Sequence, residues 1–184
     1  GAVALVMRAR AGNPQADGIP QRVRSQGYRL EVGARQVTIT GFGEAGVLYG
    51  AATLVQWIRL HREGGPDAMA PGTTVEVSAV EITDWPDLAN RGVMLDISRD
   101  KVPTMDTLLE LVDLLTGLKI NQLQLYMEHT FAYRGHETVW RDASAMTPLQ
   151  VQHLDGWCSE RCVDLVPNQN SLGHFHRWLQ HEPY

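Results

Sequence analysis

A chain of 184 residues is long enough to bury a core and to form one or two domains. It is 43% apolar and 20% charged, with a net charge of −5 and a pI near 5.8, and its basic residues are scattered. That balance gives no footing for a nucleic-acid partner. No run of about 18 apolar residues exists to cross a membrane, and Gly1–Met7 is too short and lacks the basic leader of a signal peptide. The start at Gly1 reads as a processed or trimmed end, which leaves cytoplasmic and exported locations both open.

The pattern predicts a strand over residues 2–8. Residues 11–26, rich in Gly, Pro, Gln, Asn and Asp, read as a loop. Tyr28–Val32 and Gln36–Thr40 alternate apolar and polar around a short Gly33-Ala34-Arg35 link, the pattern of a hairpin with one solvated face. Leu48, Ala51, Ala52, Val55 and Ile58 recur at helical spacing, so a helix is expected over about 44–61. Its small residues would let it lie close against a sheet, and Glu63-Gly64-Gly65-Pro66 would stop it. Alternation returns from Thr73 to Thr83. Residues 1–84 are thus expected to form a small α+β domain, one helix on an antiparallel sheet.

Asp84-Trp85-Pro86 marks a boundary, because Pro86 ends a strand and biases its predecessor to extended backbone. A second domain is expected over 85–184. It opens with Arg91-Gly92-Val93-Met94-Leu95-Asp96-Ile97-Ser98-Arg99, a nearly continuous apolar run with charges at both ends. Such a run predicts a strand over 91–97 buried on both faces. A helix follows from Pro103, with Thr104 as its N-cap and Gly117 as its stop. A second strand spans Ile120–Met127, and a loop rich in aromatic, His and acidic residues runs from 128 to 146. Thr147-Pro148 starts another helix running to about Arg161. A third strand spans Val163–Pro167, and a helical turn lies near 174–180. Repeated strand–helix spacing predicts right-handed βαβ units and a parallel sheet. Fewer than about 100 residues follow Gly92, against about 250 for a whole (β/α)8 barrel. The expected fold is therefore α/β, an incomplete (β/α)8 TIM barrel holding its first three strands. The alternative is a small complete three-strand α/β domain.

In a parallel sheet the strand ends share one face, and polar residues gather there: Asp96, Ser98 and Arg99; Glu128, His129 and Thr130; Asn168, Gln169, Asn170 and His174. Each has two readings. Arg91 and Arg99 serve either an ion pair or a ligand. Asp96 inside an apolar run needs a cationic partner if buried. His174 either orients a ligand or is a satisfied structural histidine. Phe131, Tyr133 and Trp140 either stack on a sugar or pack their loop. His129 with His174 and His176 raises a metal-dependent hydrolase, although no H-x-H lies on the first strand and no HExxH occurs. Cys158 and Cys162 form a C-x3-C pair, read first as two reduced thiols at a helix end. No GxGxxG, P-loop or GxSxG motif is present, and no cofactor is expected.

Glu81-Ile82-Thr83-Asp84-Trp85-Pro86 followed by Arg91-Gly92-Val93-Met94-Leu95-Asp96-Ile97-Ser98-Arg99 resembles the entry to the catalytic barrel of glycoside hydrolase family 20, the β-N-acetylhexosaminidases. Tyr28-Arg29-Leu30 with Glu44-Ala45-Gly46-Val47-Leu48-Tyr49-Gly50 is similar to the small domain that precedes that barrel. Asn121-Gln122-Leu123-Gln124-Leu125 resembles its second strand. Tyr126-Met127-Glu128-His129-Thr130-Phe131-Ala132-Tyr133, with Pro167-Asn168-Gln169-Asn170-Ser171-Leu172-Gly173-His174, is closer to the divergent hexosaminidase D-like branch.

The resemblance implies a retaining exo-hydrolase of glycans ending in N-acetylglucosamine or N-acetylgalactosamine. It places the sugar-gripping arginine at Arg91, with Tyr126, Trp140 and Asn170 as further substrate contacts. It places the histidine that positions the catalytic acid at His174. The usual strand-two Asp is replaced, by Glu128 or His129. The family's catalytic Asp-Glu pair follows a fourth barrel strand, so the chain reads as the N-terminal portion of such an enzyme, inactive alone. The alternatives are a non-catalytic carbohydrate-binding relative and the metal-dependent hydrolase.

Overall fold

A computed structural model describes residues 3–10, 16–61, 75–99, 101–182 and 184. The chain divides into two compact units, Gly1–Ala89 and Asn90–Tyr184.

The first unit holds strands β1 (Ala4–Ala9), β2 (Tyr28–Val32), β3 (Gln36–Gly41) and β4 (Val80–Asp84) in the order β1-β3-β2-β4. Helix α1 (Glu44–Leu60) packs on this sheet, and a 3₁₀ turn, Gln21–Gln26, precedes β2. The expected antiparallel pairing holds for β3, β2 and β4, while β1 joins the edge parallel to β3. β3 is therefore an interior strand, and its polar face is not solvated. Thr38 and Thr40 are buried, with Gln36 Nε2 donating to Thr38 Oγ1 and Arg8 Nε to Thr40 Oγ1.

The helix lies close because it presents no side chain at two positions. A Cβ on Gly46 would sit 2.0 Å from the Gly27 carbonyl oxygen, and one on Gly50 2.5 Å from Ile39. Tyr28, Leu30, Ile39 and Tyr49 fill the core beneath. Tyr28 Oη donates to Asp84 Oδ2 at 2.9 Å and so must accept from Thr53 Oγ1 at 2.6 Å, tying β2, β4 and α1 together. The alternation read from Thr73 yields a strand only from Val80; Thr73 and the stop at Glu63–Pro66 lie outside the described residues.

The second unit is an unclosed parallel sheet with helices on one face. Its strands are β5 (Gly92–Asp96), β6 (Gln122–Met127) and β7 (Asp164–Gln169), in that spatial order. Helices α2 (Met105–Gly117) and α4 (Pro148–Ser159) make the crossovers, with short helices α3 (Glu137–Trp140) and α5 (His176–Leu179) in the connecting segments. This is an incomplete TIM-barrel-like arrangement preceded by a small sheet. Thr104 caps α2 by accepting from Thr107 N, and Thr147 with Gln150 forms a capping box on α4. Each crossover helix is followed by a left-handed residue, Lys119 (φ 59°) and Cys162 (φ 54°), where glycine is the usual choice. Gly117 therefore ends α2 without being its left-handed residue.

Leu95, Ile97, Leu123, Leu125, Met127 and Leu165 line the helix face and pack with Leu108, Val112 and Leu154. The opposite face carries Met94, Asp96, Gln122, Gln124, Tyr126, Val166 and Asn168 in register. This corrects the expectation that β5 is buried on both faces. Met94 is 58% exposed and Val93 37%. β5 is an edge strand, and helices cover only one side of it. β7 also runs beyond its expected end, through Pro167, which pairs in register with Leu125, to Gln169.

Candidate functional site

Three parallel strands bring their C-terminal ends together at Asp96, Met127 and Gln169, and the next residues build the site. Successive residues of a strand point to opposite faces. Glu128 continues the parity of Tyr126, on the sheet face that the helices leave open. His129 turns the other way, beside a separate cavity lined also by Thr130 and Arg177.

Glu128 is completely buried. Its Oε1 accepts from Arg99 Nη1 at 2.7 Å and from Tyr126 Oη at 3.1 Å, and stands 3.5 Å from His174 Nδ1. Its Oε2 is also buried and has no hydrogen-bond partner among the described residues. Burial works to raise the pKa of this carboxyl. The hydrogen bonds from Arg99 and Tyr126 and the positive charge of Arg99 outweigh it, so the group sits below its ordinary range. The same contact with Glu128 raises the Arg99 guanidinium, and burial together with Glu128 raises the Tyr126 phenol. At neutral pH the carboxylate is charged.

The backbone around it is held as tightly. Glu128 N donates to Ser98 Oγ at 2.7 Å, and Ser98 Oγ lies 3.3 Å from Thr130 Oγ1. The Glu128 carbonyl accepts from Gln169 Nε2 at 2.9 Å and from the Trp178 indole N–H. Gln169 also donates to the Asn170 carbonyl and accepts from Tyr133 Oη. Trp178 is buried and stacks on Phe175, ring centroids 5.1 Å apart at 10°. Asp96 accepts from Ser98 N and lies 3.6 Å from Arg99 Nε, which serves the strand end rather than a ligand.

The predicted site residues fall into three places. Glu128, His174 and Tyr126 come together. His174 is 62% exposed, edge-on to Tyr126 at 6.4 Å, and has a left-handed backbone (φ 53°). That conformation costs a non-glycine residue about 1–2 kcal/mol, and such strain clusters at functional positions. Asn170 stands at the same strand end, its main chain bonded to Met127 and its buried Nδ2 without a partner among the described residues.

His129 and Trp140 lie apart from the carboxylate. Trp140 Nε1 donates to the Tyr133 carbonyl, so its indole packs the loop. Arg91 stands at the opposite end of β5. Its backbone N–H donates to Asn121 Oδ1, and its Nε donates to the Lys119 carbonyl, both at 2.8 Å. Two residues important to the cluster carry little sequence signal. Arg99 reads as either an ion-pair or a ligand residue, and only β6 supplies Glu128 as its partner, while Trp178 reads as part of a helical turn. Cys158 is a buried free thiol, its pKa pushed up to about 11 by burial and the nearby Asp155, so it is inert toward nucleophilic chemistry. Among the described residues, no three His, Cys, Asp or Glu side chains gather closely enough to hold a metal ion.

Comparison with known proteins agrees with this architecture. Residues 3–85 match the model for glycosyl hydrolase family 20, domain 2. The chain is 27% identical to a β-hexosaminidase of Porphyromonas gingivalis over 168 residues, covering 83% of this chain and 21% of that protein. It is also 27% identical to a β-hexosaminidase of Akkermansia muciniphila, covering 83% of this chain and 32% of that one. The solved family 20 β-N-acetylhexosaminidase of Streptomyces coelicolor superposes with a TM-score of 0.74 at 24% identity, over 94% of this chain and 36% of that one. The chain thus spans about a fifth to a third of the length of the curated relatives it matches. What the comparisons show is a match of residues 3–85 to the domain 2 model of glycosyl hydrolase family 20 and a likeness in fold to solved members of that family.

Proposed function

We propose that this chain carries the sugar-binding and supporting part of a retaining exo-β-N-acetylhexosaminidase, with the Glu128–His174 pair in the place of the family's usual Asp–His pair and closest in kind to the hexosaminidase D-like branch. The observation that carries this is the Glu128 carboxylate. It is buried and charged, is held through one oxygen by Arg99 and Tyr126, and keeps the other oxygen unpaired at the C-terminal end of a barrel-type sheet. Barrel enzymes place their chemistry at that end, and an unpaired buried carboxylate oxygen is a ready acceptor for a sugar hydroxyl or an imidazole N–H.

In the proposed reaction the substrate's 2-acetamido oxygen attacks the anomeric carbon, and the aglycone oxygen leaves as it gains a proton. Water then opens the oxazolinium-type intermediate, and the configuration is retained. Glu128 would orient His174, and His174 would position the group that delivers the proton. By the family resemblance that group belongs to an Asp-Glu pair beyond a fourth strand, whereas the sheet built here has three. Glycans ending in β-linked N-acetylglucosamine or N-acetylgalactosamine are the proposed substrates. Residues 1–84 and 85–184 would act as auxiliary domain and barrel start. In this reading Arg99 stands at the sugar and Arg91 braces the far end of the sheet.

The test is calorimetric titration of the 184-residue chain with N-acetylglucosamine, paired with an assay on a chromogenic N-acetylglucosaminide. Weak binding that Glu128→Gln removes, with no turnover above buffer, is expected. Binding indifferent to Glu128, or turnover by this chain alone, would overturn the reading.

A further inference from the structure

Glu128 is the first residue beyond β6, and side chains hold its main chain where the strand pairing has ended. Its N–H donates to Ser98 Oγ at 2.7 Å. Its carbonyl accepts from Gln169 Nε2 at 2.9 Å and from the Trp178 indole N–H. The carboxyl hangs from this backbone, and its 2.7 Å contact with Arg99 tolerates only small displacements. Whatever fixes the Glu128 carbonyl therefore also fixes the carboxylate.

Gln169 has the wider set of contacts. The two hydrogens of Nε2 go to two carbonyls, those of Glu128 and Asn170, each at 2.9 Å. A carbonyl only accepts, so the nitrogen side of the amide has to face them. Oε1 then meets Tyr133 and accepts from its hydroxyl at 3.1 Å. Burial raises the Tyr133 phenol, which keeps its proton for this bond at neutral pH. Turned over, the amide would set an oxygen against two carbonyl oxygens. Tyr133 is itself fixed by its loop. Its carbonyl accepts from Trp140 Nε1 at 2.8 Å, and its ring lies edge-on to Phe131 with centroids 4.7 Å apart.

We infer that Gln169 is a positioning residue for Glu128, kept in orientation by Tyr133, so that the aromatic loop reaches Glu128 through two hydrogen bonds. Small misplacements of a binding group are costly, and groups behind a site are what keep it in place. The effect on a ligand rests on the proposed role of Glu128 at the sugar; the effect on Glu128 itself does not.

The experiment follows the Glu128 carboxyl by carbon-13 NMR as the 184-residue chain is acidified, the signal assigned by its loss in Glu128→Gln. Gln169→Met keeps the side-chain length and removes all three bonds, and Tyr133→Phe removes one hydroxyl. Neither changes the charge of the chain. Slackened contacts with Arg99 and Tyr126 take away what holds the Glu128 titration low, so its midpoint should rise toward the ordinary carboxylate range in both variants, further in Gln169→Met. Val112→Ala, which opens a cavity in the buried helix-side core, should lower stability in urea without moving that midpoint. N-acetylglucosamine should bind about tenfold more weakly to Gln169→Met and about threefold more weakly to Tyr133→Phe. Should Gln169→Met not fold, Tyr133→Phe alone decides. A midpoint that stays in place in both variants, or that Val112→Ala moves as far, would overturn the positioning role, while sugar binding by the parent would keep the Glu128 reading. A moved midpoint in a chain that binds no sugar would keep the positioning role and overturn the sugar reading.

Discussion

The two ends of β5 each hold an arginine, and the two are satisfied in opposite ways. At the entry, Arg91 donates to a neutral backbone carbonyl, and its own N–H meets the Asn121 side chain. These bonds tie β5 to the loop before β6. At the exit, Arg99 is half exposed and donates to a buried carboxylate that retains one unpaired oxygen. Bonds to neutral carbonyls brace a structure. A buried charge left partly unsatisfied costs stability, and the fold tolerates it where a ligand is to complete it. In the proposed reading, then, one strand has a bracing end at Arg91 and a sugar-facing end at Arg99.

The sharpest way to break this contrast is at the chemical end. Glu128→Ala should weaken N-acetylglucosamine binding by about a hundredfold, the scale of hydrogen bonds to a charged group, as measured by calorimetry. Ser98→Ala comes next. It strips the acceptor from the buried Glu128 N–H and should cost about 1–3 kcal/mol of stability in urea unfolding, with weakened binding. Arg91→Ala should cost about 1 kcal/mol of stability through its lost side-chain bond while leaving sugar affinity unchanged. A loss of affinity larger than the loss of stability would return Arg91 to the sugar.

Acid sharpens the comparison further. The Glu128 pKa is lower in the folded chain than its unfolded value, so folding is favoured by its ionisation. That contribution is complete above the unfolded carboxylate pKa of about 4.3 and is lost as pH falls through the lower folded value. Unfolding followed across that range should show a flatter acid limb in Glu128→Gln than in the parent. The smallest effect lies away from both ends. Cys162 is left-handed, and Cys162→Gly should stabilise by about 0.5–1 kcal/mol without touching the site, read by thermal melting.

Local pattern carried much of the architecture. The hairpin, helix α1 with its close-packing glycines and both capped crossover helices follow from periodicity and end signals, because these depend on neighbours three or four residues away. The length and exposure of strands did not. The apolar run of β5 reads as buried on both faces, yet its burial depends on what lies over each face, which strand order and helix placement decide. Thr38 and Thr40 show the converse, polar residues buried because β1 and β2 flank their strand.

At the candidate site the residue types were visible in the sequence as a polar gathering after each strand, and the family resemblance named Arg91, Glu128 or His129, and His174. Sequence by itself determined that carboxylate, imidazole and guanidinium groups occur there, because βαβ spacing puts parallel strand ends together. Which of two neighbours faces which side was decided only by the tertiary structure. Strand parity turns Glu128 toward Tyr126 and Arg99 and turns His129 toward a different cavity, and register sets Arg91 a full strand length from the carboxylate. Side-chain direction alternates with a period of two, so one residue of offset separates a site from its back wall.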